Sequence, residues 1–229
     1  MRVLRGRAAD VDADRAATRR LTDEVAASGE PAVRVWRPRP QVAFGRRDAR
    51  AAGYERARAI ARERGYEPVE RRTGGRAVAY TGETVSFVRV QPTDEERTGI
   101  QARYERTLAA IEDALAALGV ATERGEPPAA FCPGTHSLQA AGGKVVGLAQ
   151  RLGGGTATVG GLLLVRDHAA VAAVLEPVYA ALDVPFDPDA VGSLARAGSE
   201  VPPARARSAV ERALAGETGV AVERVGERA

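Results

Sequence analysis

Short apolar runs and glycine-containing turns alternate from residue 66 to 92, and this pattern restricts the fold more than any other feature of the chain. The runs predict three successive strands, over 67–72, 77–80 and 84–90. The pair Thr81-Gly82 is typical of a hairpin turn, whereas Gly74-Gly75 marks a loop. Strands spaced this closely favour antiparallel pairing, because a parallel neighbour needs a longer crossover.

Helical periodicity flanks these strands on both sides. Apolar residues recurring every three or four positions predict helices over 11–28, 54–64, 98–118, 168–182 and 204–215, the fourth kinked or divided by Pro177. Other short runs predict strands over 32–37, 42–45, 120–123, 135–139, 144–150, 156–165 and 220–222. Because strands outnumber helices in the middle and most connections are hairpins, the sequence predicts an α+β domain with a mixed, mainly antiparallel β-sheet flanked by helices.

The composition is that of an ordinary globular protein, with 229 residues, 45% hydrophobic and 28% charged. Apolar runs stay well short of the about 20 residues that cross a bilayer. The first residues lack the apolar core of a secretory signal, so we expect a cytoplasmic protein with no membrane partner. Aromatic residues make up 4% of the chain and no basic stripe accompanies them, which argues against nucleic-acid binding.

Cys132 is the only cysteine, which excludes an internal disulfide and a four-thiolate metal site. It is either a small buried hydrophobic residue or a reactive thiol. Lys144 follows beyond a Gly-Gly turn, so the two residues could meet across a hairpin, and a cation beside a thiol favours the thiolate. His136 is a competing base, although no acidic residue lies nearby in the sequence to orient it. The two histidines do not have the spacing of a metal site.

The segment from Arg71 to Ala77 is the second candidate site. Adjacent glycines let a backbone approach a ligand closely, and adjacent arginines offer paired donors to a carboxylate, a phosphate or a carbonyl. The same residues are also compatible with a tight turn that carries two solvated arginines.

Two motifs resemble the lipoate–protein ligase and octanoyltransferase family of the biotin/lipoate ligase superfamily. They are RRTGGRAV at 71–78 and GGKVVGLAQR at 142–151. That family is usually recognised by an Arg-Arg loop with a Gly-Gly turn, followed by a Gly-x-Lys-x-x-Gly-x-[Ala/Ser]-Gln-Arg strand. The FCPGTHSL stretch ahead of the second motif is similar to the branch that forms an acyl-enzyme, in which a Cys-Pro-Gly turn precedes the lysine.

The resemblance implies a single catalytic domain over 1–229, with its core at about 10–185 and a short helical extension over about 186–229. It implies that Cys132 is the nucleophile and that Lys144 stands at the acyl carbonyl. It also implies a substrate-binding loop over the acyl chain and a strand beneath it, formed by Arg71, Arg72, Thr73, Gly74, Gly75, Arg76 and Ala77 in the loop and by Gly147, Ala149 and Gln150 on the strand.

The activity implied is transfer of an octanoyl or lipoyl group between carrier proteins through a Cys132 thioester, with no cofactor, metal or nucleotide. Donor and acceptor would be an acyl carrier protein or lipoyl-domain proteins. Two alternatives remain open: an ATP-dependent lipoate–protein ligase in which Cys132 is incidental, and a non-catalytic homologue that binds carrier domains or lipoate. Ala79-Tyr80 replaces the His-Asp pair that usually follows the arginine loop in the family, which weakens the case for acyl-adenylate chemistry.

Overall fold

The computed structural model describes residues 1–71, 73–93, 99–216 and 219–226. The helices in these ranges are α1 (Val11–Ser28), α2 (Tyr54–Glu63), α3 (Ile100–Ala116), α4 (His168–Ala181) and α5 (Pro203–Ala215). The strands are β1 (Arg2–Arg5), β2 (Ala32–Trp36), β3 (Gln41–Phe44), β4 (Glu67–Glu70), β5 (Val78–Tyr80), β6 (Val85–Pro92), β7 (Glu123–Arg124), β8 (Ser137–Ala140), β9 (Gly143–Gly153), β10 (Thr156–Leu163) and β11 (Ala221–Arg224). The predicted start of the third helix, at 98, lies outside the described residues.

Most of these strands form one large sheet, in the order β11-β1-β2-β6-β10-β9-β8-β7. Strand β1 pairs in parallel with both of its neighbours, and the remaining pairs are antiparallel. A small sheet has the order β4-β3-β5, with one parallel and one antiparallel pair. The predicted α+β class with a mixed, mainly antiparallel sheet flanked by helices is therefore confirmed.

The Thr81-Gly82 turn does not close a hairpin, so that prediction is wrong. Strand β5 pairs with β3 in the small sheet, whereas β6 lies in the large sheet between β2 and β10. Arg37, which follows β2, donates a hydrogen bond from Nε to the carbonyl oxygen of Gly82 over 2.9 Å. The turn thus carries the chain from one sheet to the other, a choice that the local turn sequence does not encode.

The predicted strand at 120–123 is replaced by a helix ending and a later, shorter strand. The backbone N–H of Val120 bonds to the carbonyl oxygen of Leu115 over 2.9 Å as the chain leaves α3. The Val120 side chain is buried against the same core as α3, which is the hydrophobic contact typical of a helix C-terminus. Strand β7 consequently begins only at Glu123.

The sequence predicts that Pro177 kinks or divides the fourth helix; α4 runs unbroken past Pro177, so the division does not occur. A proline inside a helix removes one backbone hydrogen bond, which destabilises an isolated helix. Here the helix is held by its apolar face in the core, through the buried side chains of Val171, Val174, Leu175, Val178 and Tyr179.

The two faces of the large sheet bury different cores. One face packs against α3 and α5, and the side chains of Phe87, Val146, Ile111 and Val210 meet there. The C-terminal segment is part of this layer, because α5 contacts α3 and β2, and β11 pairs with β1. The other face carries α1 over β2 and β6, together with a core shared by α2, α4 and the small sheet.

Strand register determines which side chains lie on the sheet face that α1 and the small sheet cover. Paired residues in neighbouring strands point to the same side, so one row across the sheet runs Trp36, Ser86, Leu162, Gly147 and Ser137. The adjacent row on this face is Arg34, Val88, Gly160 and Ala149. Small residues on β9 and β10 therefore leave open space above the middle of the sheet.

None of the helices in the described ranges combines the length and the apolar character that a bilayer crossing requires.

Candidate active site

A cavity of about 880 Å³ lies over the small residues of β9 and β10, between α1 and the arginine loop. Gly147, Ala149 and Gly160 line it together with Trp36, the only tryptophan of the chain. The small side chains of these strands leave this space open above the sheet. Cys132 and Lys144 line the same cavity, which makes it the candidate active site.

Cys132 stands on a turn between a buried anchor and a β-hairpin. Phe131 packs its ring into the core at 1% exposure, and Pro133-Gly134 turns the chain toward β8. Cys132 itself has φ of 43°, a left-handed conformation that costs a non-glycine residue on the order of 1 kcal/mol. Its thiol is free and half-buried. The turn thus presents the sulfur to the cavity at the expense of some backbone strain.

Tyr179 supports this strained turn from α4. The backbone N–H of Cys132 donates to the Tyr179 hydroxyl over 2.6 Å, and that hydroxyl donates to the carbonyl oxygen of Ala77 over 2.9 Å. Burial and the nearby Cys132 raise the pKa of Tyr179, so the hydroxyl keeps its proton. One buried side chain therefore links the cysteine turn to the end of the arginine loop.

The cation that contacts the sulfur is Arg71. Its Nη2 donates to the Cys132 sulfur over 3.1 Å and also to the carbonyl oxygen of Arg76. Burial lowers the pKa of Arg71, but the neighbouring Cys132 and Tyr80 outweigh burial and raise the pKa above its ordinary value. Arg71 is therefore a permanent positive charge beside the sulfur, in the place that the sequence hypothesis gave to Lys144.

The arginine loop, from Arg71 to Ala77, lies directly over the sulfur. Gly75 has φ of 100°, and a Cβ atom there would lie 2.5 Å from the Cys132 sulfur and 2.7 Å from Arg71 Nη2. The loop is held from behind, since a Cβ at Gly45 would lie 1.8 Å from the carbonyl oxygen of Gly75. Arg76 adds an ion pair to the fully buried Asp48, with 3.1 Å between Nη1 and Oδ1. Only glycine fits at position 75, because both the space and the backbone conformation require it.

Lys144 reaches the same turn from β9, as the proposed hairpin geometry requires. It is 1% exposed, and its Nζ donates to the carbonyl oxygens of Cys132 over 2.8 Å and Phe131 over 3.1 Å. The third partner is the carboxylate of Glu126, whose Oε2 lies 2.5 Å from Nζ. An ammonium has three donors, so all three are engaged. Lys144 thus contacts the backbone of the cysteine, whereas Arg71 contacts its sulfur.

Neither Glu126 nor Tyr179 emerged from the sequence. One available signal was that Glu126 is the only acidic residue between positions 124 and 166, and so the natural partner for a buried lysine in that stretch. Tyr179 gives no such signal, because its spacing with Val171, Val174, Leu175 and Val178 is that of an ordinary core position.

The remaining predicted residues fall into three groups. Thr73 and Gly74 line the cavity with Gly75, while Arg72 lies outside the described residues. Arg76 and Ala77 are bound to Asp48 and Tyr179 and so hold the loop in place. On β9, Gly147 and Ala149 share the sheet face above which the cavity lies, whereas Gln150 accepts a hydrogen bond from Arg103 of α3 over 3.0 Å.

His136 stacks on Tyr104 of α3, with ring centroids 3.7 Å apart and planes 13° apart. Burial lowers the pKa of His136, an effect that nearby Glu105 opposes. The ring is therefore engaged by an aromatic neighbour, and no contact between His136 and the Cys132 sulfur accompanies the stack among the described residues. Within the same ranges, no group of three or more His, Cys, Asp or Glu side chains could hold a metal ion.

Comparison with known proteins gives one family match and a set of curated relatives. A family profile described as "Lipoyl protein ligase A/B catalytic domain" matches residues 11–215. An octanoyl-[GcvH]:protein N-octanoyltransferase of Exiguobacterium sibiricum is 32% identical over 164 residues, 70% of this chain and 59% of the relative. The Geobacillus kaustophilus protein of that name is 29% identical over 126 residues, 55% of this chain and 44% of the relative.

A lipoyl-[GcvH]:protein N-lipoyltransferase of Listeria monocytogenes is 29% identical over 119 residues, which are 52% of this chain and 43% of the relative. The chain thus spans about half the length of the curated relatives it matches.

Solved structures share the fold at low sequence identity. A lipoate-protein ligase A bound with ATP has a TM-score of 0.78 at 19% identity, and the match covers 99% of this chain and 89% of that chain. Protein Ta0514 of T. acidophilum, with bound lipoic acid, has a TM-score of 0.73 at 18% identity over 97% of this chain and 87% of its own. At these identities the likeness shows the fold alone.

Proposed function

Because this chain belongs to the lipoyl protein ligase A/B catalytic-domain family, we propose that it is an acyltransferase of lipoate assembly that carries an octanoyl or lipoyl group as a thioester on Cys132. The observation that carries the proposal is the 3.1 Å contact between the Cys132 sulfur and the Arg71 guanidinium. A guanidinium beside a sulfur favours the thiolate, which is the attacking form. A ligase that activates its acid with ATP needs no thiolate.

The first step loads the enzyme. The Cys132 thiolate attacks the acyl carbonyl carbon of a donor carrier, and a C–S bond forms as the carbonyl electrons move to oxygen. The Nε–H of Arg71, which is buried with no partner among the described residues, is a donor for this oxyanion. The Lys144 ammonium becomes a second donor when Nζ exchanges one of its two backbone carbonyl contacts for the oxyanion. The bond from the acyl carbon to the donor's nitrogen or sulfur then breaks, and Lys144 supplies a proton to the departing group.

The second step delivers the acyl group to a lysine of the acceptor protein. The acceptor amine attacks the thioester, an amide C–N bond forms, and the proton of the amine passes to the neutral amine of Lys144. The C–S bond breaks and Cys132 leaves as a thiolate, which Arg71 stabilises. Protons and bonds balance over the two steps, so the proposed cycle uses neither a nucleotide nor a metal.

Carrier proteins are the proposed donor and acceptor. The names of the relatives place the octanoyl or lipoyl group on GcvH and transfer it to a protein nitrogen. We extend this donor class to the present chain, with an acyl carrier protein as the second candidate. The formal charge of +3 suits acidic carrier domains.

The proposed catalytic unit includes the segment after residue 185, because α5 and β11 complete the large sheet and its covering layer. We expect the reaction in the cytoplasm, where a lone cysteine stays a thiol.

The decisive experiment is the intact mass of the protein after mixing with an octanoylated carrier in the absence of ATP. We expect an octanoyl adduct that maps to the peptide containing Cys132, and its loss in Cys132→Ala. Transfer of free octanoate or lipoate to a carrier that requires ATP and Mg²⁺, leaves no adduct on the enzyme and survives Cys132→Ala would identify a lipoate–protein ligase instead. Carrier binding with neither an adduct nor any transfer would identify a non-catalytic homologue.

A further inference from the structure

We propose that Glu126 is a positioning residue, which keeps the Lys144 ammonium at the reacting centre and joins it to the Cys-Pro-Gly turn. The inference rests on the function proposed above. It concerns a residue that lies outside both sequence motifs, on the loop after β7.

The Glu126 carboxylate connects three elements of the site. Its Oε2 pairs with Lys144 Nζ over 2.5 Å and accepts from the Ser137 hydroxyl over 2.8 Å. Its Oε1 accepts the backbone N–H of Gly134 over 2.7 Å, in the turn that follows Cys132. Movement of the cysteine turn and movement of the lysine are therefore coupled through one side chain.

Because the Glu126–Lys144 pair is largely buried, the charge of Lys144 depends on the Glu126 carboxylate for compensation. The Lys144 side chain is 1% exposed and that of Glu126 17% exposed, so solvent contributes little to stabilising either charge. Removing one partner of a buried pair leaves the other charge uncompensated. The other groups around Nζ are two carbonyl oxygens and the ring of Phe131, whose centroid lies 5.1 Å away. Among these contacts Glu126 supplies the only full negative charge.

The choice of lysine at this position agrees with a proton-transfer role. Lys144 is the only lysine of the chain, and the other 32 basic side chains are arginines. Arginine cannot lose its proton in a protein, whereas a lysine can give up a proton and regain it. The lone lysine lies where the proposed reaction needs proton exchange, and Glu126 holds its amine there.

A local turn aims Glu126 at the site. Gly125 adopts φ of 107° and its N–H bonds to the carbonyl oxygen of Ser137 over 2.9 Å. The chain therefore turns inward directly after β7, and the next side chain faces the lysine.

The first test uses the chemistry of the single lysine and needs no acyl transfer. Reductive methylation with formaldehyde and cyanoborohydride modifies only unprotonated amines, and the Lys144 peptide is followed by mass spectrometry. We expect Glu126→Gln to be methylated about tenfold faster than wild type, because the amine loses the ion pair that holds it against the cysteine turn. Glu126→Asp should stay near wild type. The control Glu112→Gln removes a surface pair with Arg124 and should leave the methylation rate of Lys144 unchanged.

The second test separates positioning from simple loss of structure. In Glu126→Gln we expect octanoyl transfer to slow about a hundredfold, while alkylation of Cys132 by iodoacetamide keeps its rate because Arg71 still contacts the sulfur. Equal methylation rates in wild type and Glu126→Gln would overturn the inference. Parallel losses of alkylation and transfer would also overturn it, since they indicate a purely structural role. If wild type transfers no acyl group, the proposed function fails, but the methylation comparison still decides the role of Glu126.

Discussion

The guanidinium of Arg71 donates a hydrogen bond to the sulfur of Cys132 although the two residues lie 61 positions apart in the sequence. The contact places the arginine loop over the cysteine turn, which Lys144 of the second motif reaches as well. The two cations contact different parts of the same residue: Arg71 donates to the sulfur, while Lys144 donates to the backbone carbonyl oxygen.

Replacing Arg71 by glutamine should make Cys132 a weaker nucleophile. A hydrogen bond from a charged donor contributes about 1.5–3 kcal/mol, so we expect iodoacetamide alkylation to slow roughly ten- to hundredfold. The measurement is the alkylation rate of the only thiol, followed by mass. Arg58→Gln, which removes an exposed pair with Glu55 on α2, is the matched control. An unchanged rate in Arg71→Gln would show that the guanidinium does not activate the sulfur.

Gly75→Ala should greatly slow acylation of Cys132. The added methyl group would meet the sulfur at 2.5 Å, and φ of 100° is strained for any residue with a side chain. We expect a loss on the order of a hundredfold in the rate of acyl-enzyme formation. Gly198→Ala is the control, because its φ of 84° carries a similar strain but a Cβ there meets no atom within 4 Å. Similar rates in both variants would contradict the close approach of the loop to the sulfur.

Tyr179→Phe should destabilise the fold and slow acylation together. It leaves the Cys132 N–H and the Ala77 carbonyl without their partner, which costs roughly 1–3 kcal/mol for a buried group. Urea unfolding measures the loss. Tyr54→Phe, which removes one partly buried bond to Glu70, should lose less. If both variants lose the same stability, Tyr179 does not have the linking role described above.

His136 should lower the stability of the protein in acid. Burial depresses its pKa, so the folded state binds a proton less readily than the unfolded chain, whose histidine titrates near 6.5. Its contribution is complete above that value and is lost as the pH falls toward the folded pKa. His136→Phe keeps the stack on Tyr104 and removes the titration. Urea midpoints at about pH 5.5 and 8 should therefore show the variant gaining on wild type at the lower pH. A constant difference would contradict this.

Helices and strands were predicted well where their signals are local. The predicted first helix, 11–28, coincides with α1, since Asp10 caps its start with a bond to the Ala13 N–H and Gly29 ends it at φ of 70°. The prediction failed at Thr81-Gly82, where a turn sequence typical of a hairpin instead connects two sheets. A turn constrains its own four residues and leaves the partner of each strand undetermined.

The sequence by itself predicted most of the elements, the fold class and the proximity of Cys132 to Lys144, because these follow from periodicity and from one hairpin. It did not predict strand β1, which pairs with β11 and β2, strands distant in the sequence. Only the tertiary structure decided which cation meets the sulfur, which carboxylate pairs with the lysine and which hydroxyl holds the strained turn. Arg71 and Tyr179 come from elements 61 and 47 positions away from Cys132. Their approach depends on how the two sheets and α4 pack together, and that packing is the sum of many weak apolar contacts that no short stretch of sequence contains.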